Sequence, residues 1–455
     1  MFKSLLVLLV AVAAGVAVPA GANINGSVDT TWGGPEAGRV RVPFNLGGSN
    51  YDALLRIRAL ADGRLVAIGA ATTGGARQIA VAVRKADGTA DTSVAPNGRY
   101  AIPVTGAVSS VDTAAAIAPD GSFYVIGRAP NLQQMRVWHF ALDGTELSPP
   151  LDIGAAGTTY YPGTAYVDFA GRLVLGGYLG PNGAAESDID GFMTRLVAGG
   201  TGLDVNFGGI RTLAFDVNQR DDVFAITPVG ENYAICSRVG NLAGSTDLRF
   251  GIAYVARSGT LLTSFNGTGM YVDQLSLNGI AAESACNDIT TVRQNGQTRI
   301  VITGRATAAG ELARIYLLAV GLDGQLVAGT PRMIDFGYPA RSSNGFPSLY
   351  AVPGGDRLYL ASFGIYDTSG KYTVVVARVD ALGNYDANWG DTATGSRVAM
   401  TVPAIGGIQR SVLNADLSYD AGRLYLGANV ELDAGDWDFA LVRFTGDTIF
   451  ATGMN

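Results

Sequence analysis

The stretch "ADGRLVAIG", residues 61–69, decides the fold because it recurs along the chain. It joins an Asp-Gly turn to a short apolar run, a combination typical of a β-strand that leaves a tight turn. Further copies of the phrase lie at residues 119–127, 169–177, 228–236, 294–304, 353–361 and 420–428. Copies that follow one another at intervals of about sixty residues indicate a repeat protein in which each unit is one supersecondary element.

Each unit divides into four strand-like segments. In the first unit these are "ALLRIRAL" (53–60), "RLVAIGAA" (64–71), "QIAVAVRK" (78–85) and "RYAIPV" (99–104). Repetition of four such strands predicts an all-β fold, a seven-bladed β-propeller of four-stranded antiparallel blades, since radial closure protects sheet edges. The blades are expected to start near residues 52, 111, 160, 221, 285, 346 and 410. A series of β-sandwiches is the alternative, although no linker-like segment separates the units.

The stretch "NGSVDTTWGGPEAGRVRVPF", residues 25–44, resembles the end of a unit whose beginning is missing. It matches "ALGNYDANWGDTATGSRVAMTV" (381–402), and Asp29 and Trp32 take the places of Asp386 and Trp389. The seventh unit, in turn, has no fourth strand after "DWDFALVRF" (436–444). Residues 23–45 are therefore expected to complete the last blade, with residues 37–45 pairing with the strand around 439–444.

These phrases resemble the delta-60 repeat, a bacterial family of secreted and cell-surface repeats. Three phrases carry the resemblance best: Asp62-Gly63, Asp438-Phe439-Ala440 with Arg443, and Asp204 with Phe207-Gly208. The resemblance spans essentially all of the chain after residue 22 and implies a propeller, but no catalytic residue set. Departures occur at residues 141–154 and 321–337, which lack the Asp-x-x-aromatic phrase, and at Val94, which replaces the aromatic residue of the first unit.

The first 22 residues predict a secretory signal peptide. A lysine at position 3, an apolar run over residues 5–18 and small residues at 20–22 indicate cleavage near Ala22, and an uncleaved membrane anchor is the alternative. The mature chain, residues 23–455, is then expected to be a single propeller domain without stable membrane insertion, secreted or periplasmic in a bacterium. The net charge of −7 and the absence of a basic cluster argue against a nucleic-acid partner.

Cys236 and Cys286 are the two cysteines of the chain. The repeat places Cys236 at the end of the second strand of blade four and Cys286 at the start of the first strand of blade five, which predicts a disulfide between neighbouring blades. The alternative is two buried free thiols. His139 is the single histidine, so a two-histidine zinc site is excluded, and a packed or rim histidine is the favoured interpretation.

No metal or cofactor is expected. Acidic clusters occur at residues 186–190, 221–222 and 431–438, and none has the full spacing of a calcium loop, so solvated loop charge is favoured over calcium binding.

The propeller geometry indicates where a ligand would bind. Innermost strands line the channel and begin on the face that also carries the loops between second and third strands. We expect this channel mouth to collect the candidate binding residues Asp52, Asp112, Asp221, Asp222, Asp288 and Arg410. The alternative is that the carboxylates only solvate the mouth.

The predicted function is a non-enzymatic binding or structural scaffold for an unknown protein or glycan. An extracellular carboxylate-dependent enzyme of the glycan hydrolase or lyase type is the alternative, with Tyr160, Tyr161 or Arg410 near the channel. A deep pocket in which two carboxylates and an arginine converge would favour the enzyme.

Overall fold

The computed structural model is an all-β protein with seven four-stranded antiparallel sheets. The seven-bladed β-propeller predicted from the repeat is therefore confirmed. The structure describes residues 26–48, 50–74, 76–106, 108, 113–182, 189–216, 219–240, 247–336, 347–352, 355–366, 372–390, 397–400, 412–433 and 435–445. The expected signal peptide, residues 1–22, lies outside the described residues.

The strands of the first four blades follow the chain from the channel outward. The closing strand β1 is Arg39–Val42. Blade 1 consists of β2 (Ala53–Ala59), β3 (Leu65–Thr73), β4 (Ala76–Arg84) and β5 (Arg99–Ile102); blade 2 of β6 (Ala114–Ile117), β7 (Phe123–Arg128), β8 (Met135–Phe140) and β9 (Glu146–Ile153). Blade 3 consists of β10 (Thr158–Val167), β11 (Arg172–Pro181), β12 (Asp190–Ala198) and β13 (Arg211–Leu213); blade 4 of β14 (Asp221–Val229), β15 (Asn232–Val239), β16 (Arg249–Val255) and β17 (Met270–Asp273).

A short hairpin, β18 (Ser276–Leu277) and β19 (Ile280–Ala281), precedes the fifth blade. Blade 5 consists of β20 (Glu283–Gln294), β21 (Gln297–Thr307), β22 (Arg314–Val320) and β23 (Arg332–Ile334); blade 6 of β24 (Ser348–Ala351), β25 (Arg357–Tyr366), β26 (Tyr372–Asp380) and β27 (Arg397–Met400). Blade 7 consists of β28 (Val412–Asp420), β29 (Arg423–Asp433), β30 (Asp436–Arg443) and β1. Short 3-10 helices span Gly34–Glu36, Pro96–Gly98 and Val205–Phe207.

The glycine that ends the repeated phrase lies opposite a β-bulge in the innermost strand. A Cβ at Gly69 in β3 would overlap the carbonyl oxygen of Ala53, and a Cβ at Gly304 in β21 would overlap that of Ala285. The strand register shifts by one residue next to each of these contacts. A glycine is required there because the bulge pushes the innermost backbone onto its neighbour.

The hydrophobic core lies between the blades. Seven clusters of buried residues each combine side chains of two adjacent blades, so every blade junction has its own cluster. The junction of blades 7 and 1 includes Trp32, Val40, Val42 and Phe44 from the closing segment. The stability of each blade therefore depends on both neighbours, and the ring depends on the N-terminal segment.

The closing strand pairs with the last blade as predicted. Strand β1 runs antiparallel to β30, with Arg39 opposite Val442 and Val42 opposite Phe439. The carboxylate of Asp29 accepts hydrogen bonds from Arg443 at 3.0 Å from Nε and 2.8 Å from Nη2. Residues from the two ends of the described chain thus complete blade 7, and the ring closes non-covalently.

The Asp-x-x-aromatic phrase forms the same local structure wherever it is complete. An arginine at the end of the third strand pairs with the aspartate, as Arg195 does with Asp204 at 2.9 Å and Arg378 with Asp386 at 3.0 Å. The aromatic residue three positions later is buried in each case: Trp32, Phe207 and Trp389. The phrase is therefore a structural element, in which a buried charge pair is satisfied by further hydrogen bonds.

Candidate functional site

A central channel with a cavity of about 540 Å³ runs between the innermost strands of all seven blades. In five blades the residue directly after the bulge lines this cavity: Arg56, Thr164, Ala225, Asp288 and Asp416. Because a bulge adds one residue to one strand, it decides which side chain reaches the channel and which packs between blades.

Arg56 and Asp416 form an ion pair inside the channel. Arg56 Nη1 lies 3.1 Å from Asp416 Oδ1, and the side chains are 39% and 13% exposed. The other carboxylate oxygen of Asp416 accepts the backbone N–H of Ile57 at 2.6 Å. Burial raises the pKa of Asp416, and the charge of Arg56 opposes that rise. The pair therefore joins blade 7 to blade 1 and also lines the cavity.

Asp288 lies in the same part of the channel on β20. Its Oδ2 accepts the backbone N–H of Leu349 at 2.7 Å and the hydroxyl of Ser348 at 3.0 Å, and its Oδ1 accepts the N–H of Ile289 at 2.8 Å. Burial raises the pKa of Asp288 to about 6, although these hydrogen bonds and the charge of Arg56 lower it. Two carboxylates and an arginine thus converge in the channel.

The opposite end of the channel, where first strands turn into second strands, carries aromatic residues and a second arginine. Arg58, Tyr166, Tyr350 and Tyr419 line the cavity there. Arg58 Nη1 donates to the carbonyl oxygen of Ile117 at 2.8 Å. Burial raises the pKa of each of the three tyrosines, which keeps their phenols neutral at physiological pH.

Asp52 and Asp221, two of the predicted mouth residues, are fully buried. Asp52 Oδ2 accepts the N–H of Phe44 at 2.8 Å, and Asp221 Oδ2 accepts the N–H of Phe215 at 2.8 Å. Burial raises the pKa of each to about 7, against the lowering effect of these hydrogen bonds. Each carboxyl ties the end of one blade to the start of the next and does not line the described cavity.

The other predicted residues are divided between buried and undescribed positions. Asp222 is buried and pairs with Arg220 at 2.8 Å, away from the cavity. Asp112 and Arg410 lie outside the described residues. Of the six predicted binding residues, Asp288 is the one that the described part of the structure places in the channel. Ligand binding at any of them stays a prediction.

Tyr160 and Tyr161, which the enzyme alternative invokes, take different environments. Tyr160 is buried and packs edge-to-face on Phe192. Tyr161 stacks on Tyr178 with ring centroids 4.5 Å apart, and Arg128 covers the ring of Tyr161 at 4.6 Å. Arg220 lies 4.4 Å from the centre of the Tyr178 ring. This stack spans blades 2 to 4, and its cation–π contacts stabilise the packing between these blades.

Arg56, Asp416 and Arg58 were not predicted as site residues from the sequence. The available signal was the segment "ALLRIRAL", in which two arginines alternate with apolar residues on an innermost strand. A charged residue at alternate positions of a buried strand indicates a face that reaches solvent or a partner.

The predicted disulfide is confirmed. Cys236 in β15 of blade 4 and Cys286 in β20 of blade 5 are bonded, with Cα atoms 5.9 Å apart. Cys286 lies two residues before Asp288, so the bridge fixes the strand that carries this carboxylate into the channel. His139 lies away from the cavity, stacked on Tyr124 at 4.0 Å with Nδ1 3.1 Å from the carbonyl oxygen of Gly199.

The acidic clusters noted in the sequence lie only partly within the described residues. Within the described ranges, no group of three or more His, Cys, Asp or Glu side chains is arranged to hold a metal ion. Residues 186–188 of the first cluster lie outside those ranges. Asp438 of the last cluster is buried and pairs with Arg41 of the closing strand.

Comparisons with known proteins identify the chain as a β-propeller by fold. No protein-family model matches it, and no curated protein matches it significantly, so the resemblance to the delta-60 repeat stays a prediction. The polysaccharide lyase Uly1 is similar in structure, with a TM-score of 0.52 and 12% identity over 86% of this chain and 89% of that chain.

Two further solved structures are similar to a lesser degree. The β-propeller domain of the Trilobed protease from Pyrococcus furiosus gives a TM-score of 0.45 and 9% identity over 88% of this chain and 95% of that chain. Trypanosoma rangeli sialidase gives a TM-score of 0.42 and 14% identity over 90% of this chain and 60% of that chain. At these identities the likeness concerns the fold alone.

Proposed function

We propose that the protein is a binding propeller that takes a small polar ligand into its central channel. The observation that carries this proposal is the cavity of about 540 Å³, whose wall combines arginines, carboxylates, hydroxyls and tyrosines. Concave sites that mix aromatic surface with a few polar groups are where proteins usually bind small molecules. A glycan, or a side chain or terminus of a protein partner, has the matching chemistry.

Binding is favoured over catalysis because Asp288 and Asp416 are engaged in hydrogen bonds and the channel phenols are neutral. Both oxygens of Asp288 and both of Asp416 accept hydrogen bonds from backbone N–H groups, Ser348 or Arg56. The channel phenols have raised pKa values and supply no base at neutral pH. His139 is outside the cavity.

The second candidate is a carboxylate-dependent glycan hydrolase or lyase. It is favoured by the convergence of Arg56, Asp288 and Asp416, and by the pKa of Asp288, which burial raises to about 6. A carboxyl with such a pKa can hold a proton near neutral pH and act as a general acid.

A secreted or periplasmic location suits either function. The disulfide between Cys236 and Cys286 persists in an oxidising compartment. In the described part of the chain, no helix has the length and hydrophobicity needed to cross a bilayer. The delta-60 resemblance, with its secreted bacterial members, points the same way.

The test is to screen a glycan and peptide panel by calorimetry and to localise each hit with Thr290→Trp. Thr290 lines the cavity from β20, so a tryptophan there occupies ligand space. The matched control is Ile280→Trp on the exposed hairpin. Binding that Thr290→Trp abolishes and Ile280→Trp preserves supports the proposal; binding that neither variant changes places the ligand elsewhere and refutes it.

Formation of cleavage products distinguishes the enzyme candidate from the binding propeller. Glycans incubated with the wild type should yield cleavage products that Asp288→Asn and Asp416→Asn each abolish while the fold is retained. If the wild type binds glycans without forming product, the enzyme candidate is refuted and the binding propeller is retained.

A further inference from the structure

The two arginines of β2 have different partners. The charge of Arg56 is compensated by Asp416 at 3.1 Å. Arg58 lies two residues further along the same face of the strand, and among the described residues it forms no ion pair with a carboxylate. Its hydrogen bond there is the one from Nη1 to the carbonyl oxygen of Ile117 at 2.8 Å. The channel therefore contains a guanidinium whose remaining N–H groups have no described protein acceptor.

The surroundings of Arg58 are mainly aromatic. Its charge acts on the phenols of Tyr166 and Tyr350, where it opposes the effect of burial on their pKa values. The ring of Tyr350 lies 6.4 Å from that of Tyr419, and all three tyrosines line the same cavity. Asp420 also lies on this rim and acts electrostatically on Tyr350 and Tyr419.

The carboxylates deeper in the channel are already compensated. Asp416 bonds to Arg56 and the N–H of Ile57, and Asp288 bonds to two backbone N–H groups and Ser348. They have little capacity left to neutralise Arg58 as well. An arginine in a partly desolvated site with free N–H groups is suited to a planar or tetrahedral oxyanion, which it binds through charge-assisted hydrogen bonds.

We propose that Arg58 is an anion subsite of the channel and binds a carboxylate, sulfate or phosphate group on the ligand, with Tyr166 and Tyr350 as flanking walls. This inference rests on the proposed function, since it specifies the charge of the ligand that the channel takes. Neutral phenols beside the guanidinium can donate further hydrogen bonds to the same anion or to ligand hydroxyls.

The test compares ligands that differ in one group. Binding of glucose, glucuronate, glucose 6-sulfate and glucose 6-phosphate is measured by calorimetry for the wild type, Arg58→Gln and Arg58→Lys. The control is Arg64→Gln, an arginine of the neighbouring turn that pairs with Asp62 and lies off the cavity. Gln keeps a donor for the Ile117 carbonyl but lacks the charge.

At least one of the three anions should bind the wild type tighter than glucose by about tenfold or more, the range for a hydrogen bond to a charged group. Arg58→Gln should remove this preference, Arg58→Lys should retain part of it, and Arg64→Gln should keep it. The group that binds tightest distinguishes carboxylate, sulfate and phosphate.

Equal affinity for glucose and every anion, a preference that survives Arg58→Gln, or no anion binding at all overturns the inference. If neutral ligands bind the wild type and Thr290→Trp abolishes that binding, the proposed function is supported although the anion subsite is refuted.

Discussion

A covalent staple across the ring closure should stabilise the propeller more than the same staple inside a continuous blade. In blade 7, Arg39 of β1 lies opposite Val442 of β30. In blade 6, Arg397 of β27 lies opposite Ala377 of β26. The two pairs are equivalent in register, because Val442 and Ala377 each lie one residue before the arginine that pairs with the aspartate of the Asp-x-x-aromatic phrase. Cysteines at both members of each pair give two matched disulfides.

The expected gain follows from the length of chain that each bridge closes. The loop between residues 39 and 442 holds about 400 residues, and that between 377 and 397 about 20, so chain entropy predicts about 6 kcal/mol against about 3 kcal/mol. The difference of about 2.5 kcal/mol arises in the unfolded state, because native strand pairing is the same in both blades.

The assay is urea unfolding of the oxidised variants Arg39→Cys/Val442→Cys and Ala377→Cys/Arg397→Cys. Each is compared with its double-serine counterpart, which removes the effect of losing the native side chains and keeps the natural disulfide intact. Thiol titration verifies that the new bridge has formed. Equal stabilisation by the two bridges, or a smaller gain at the closure, would refute the idea that β1 is the native fourth strand of blade 7.

Two further predictions concern the closing segment. Asp52→Asn should change the pH dependence of stability. Burial raises the pKa of Asp52 in the folded protein from 3.8 to about 7. The contribution of Asp52 to the free energy of unfolding is therefore full below pH 3.8 and is lost as pH rises to 7, at about 1.4 kcal/mol per pH unit. In urea unfolding at pH 5 and pH 8, the variant should gain on the wild type at the higher pH, and a constant difference would contradict this. Trp32→Ala empties a fully buried site and should cost about 3–5 kcal/mol, whereas Leu132→Ala at an exposed turn should cost almost nothing; a loss below 1 kcal/mol for Trp32→Ala would mean that the segment packs loosely.

The blade count and the ring closure could be predicted because the repeat encodes local structure that each unit needs independently. Asp29 and Trp32 identified the closing segment because every complete copy of the phrase buries its aromatic residue and pairs its aspartate with an arginine of the third strand. The arginine partner, Arg443, was already present in the seventh unit. Such a signal survives weak sequence similarity because it reflects one recurring packing arrangement.

The channel wall was less accessible to sequence reasoning. Its lining depends on bulges that shift the register by one residue, as between Leu54 and Arg56 and between Cys286 and Asp288. A shift of one residue exchanges the two faces of a strand. The glycine that accompanies the bulge, such as Gly69 or Gly304, lies on the neighbouring second strand, and the innermost strand itself carries no clear mark of the shift.

The aspartates at strand starts were placed on the correct strands, but their orientation was not predictable. Asp52 and Asp221 hydrogen-bond the backbone of the preceding blade instead of facing the channel. Asp288 differs because it follows a bulge and leans onto β24 of the next blade. The same residue type near the start of a strand therefore serves two purposes, and only the packing between blades separates them.

The ring closure also imposes an order on folding. Strand β1 is synthesised before any of the blades, yet its partner β30 emerges about 400 residues later, so β1 has no native edge to pair with until β30 has been made. The seven cores can form one after another as neighbouring blades meet, but the seventh blade and the last junction must wait for both ends. A cell that makes this protein has to keep an unpaired β-strand from associating with other chains until the last blade has been synthesised.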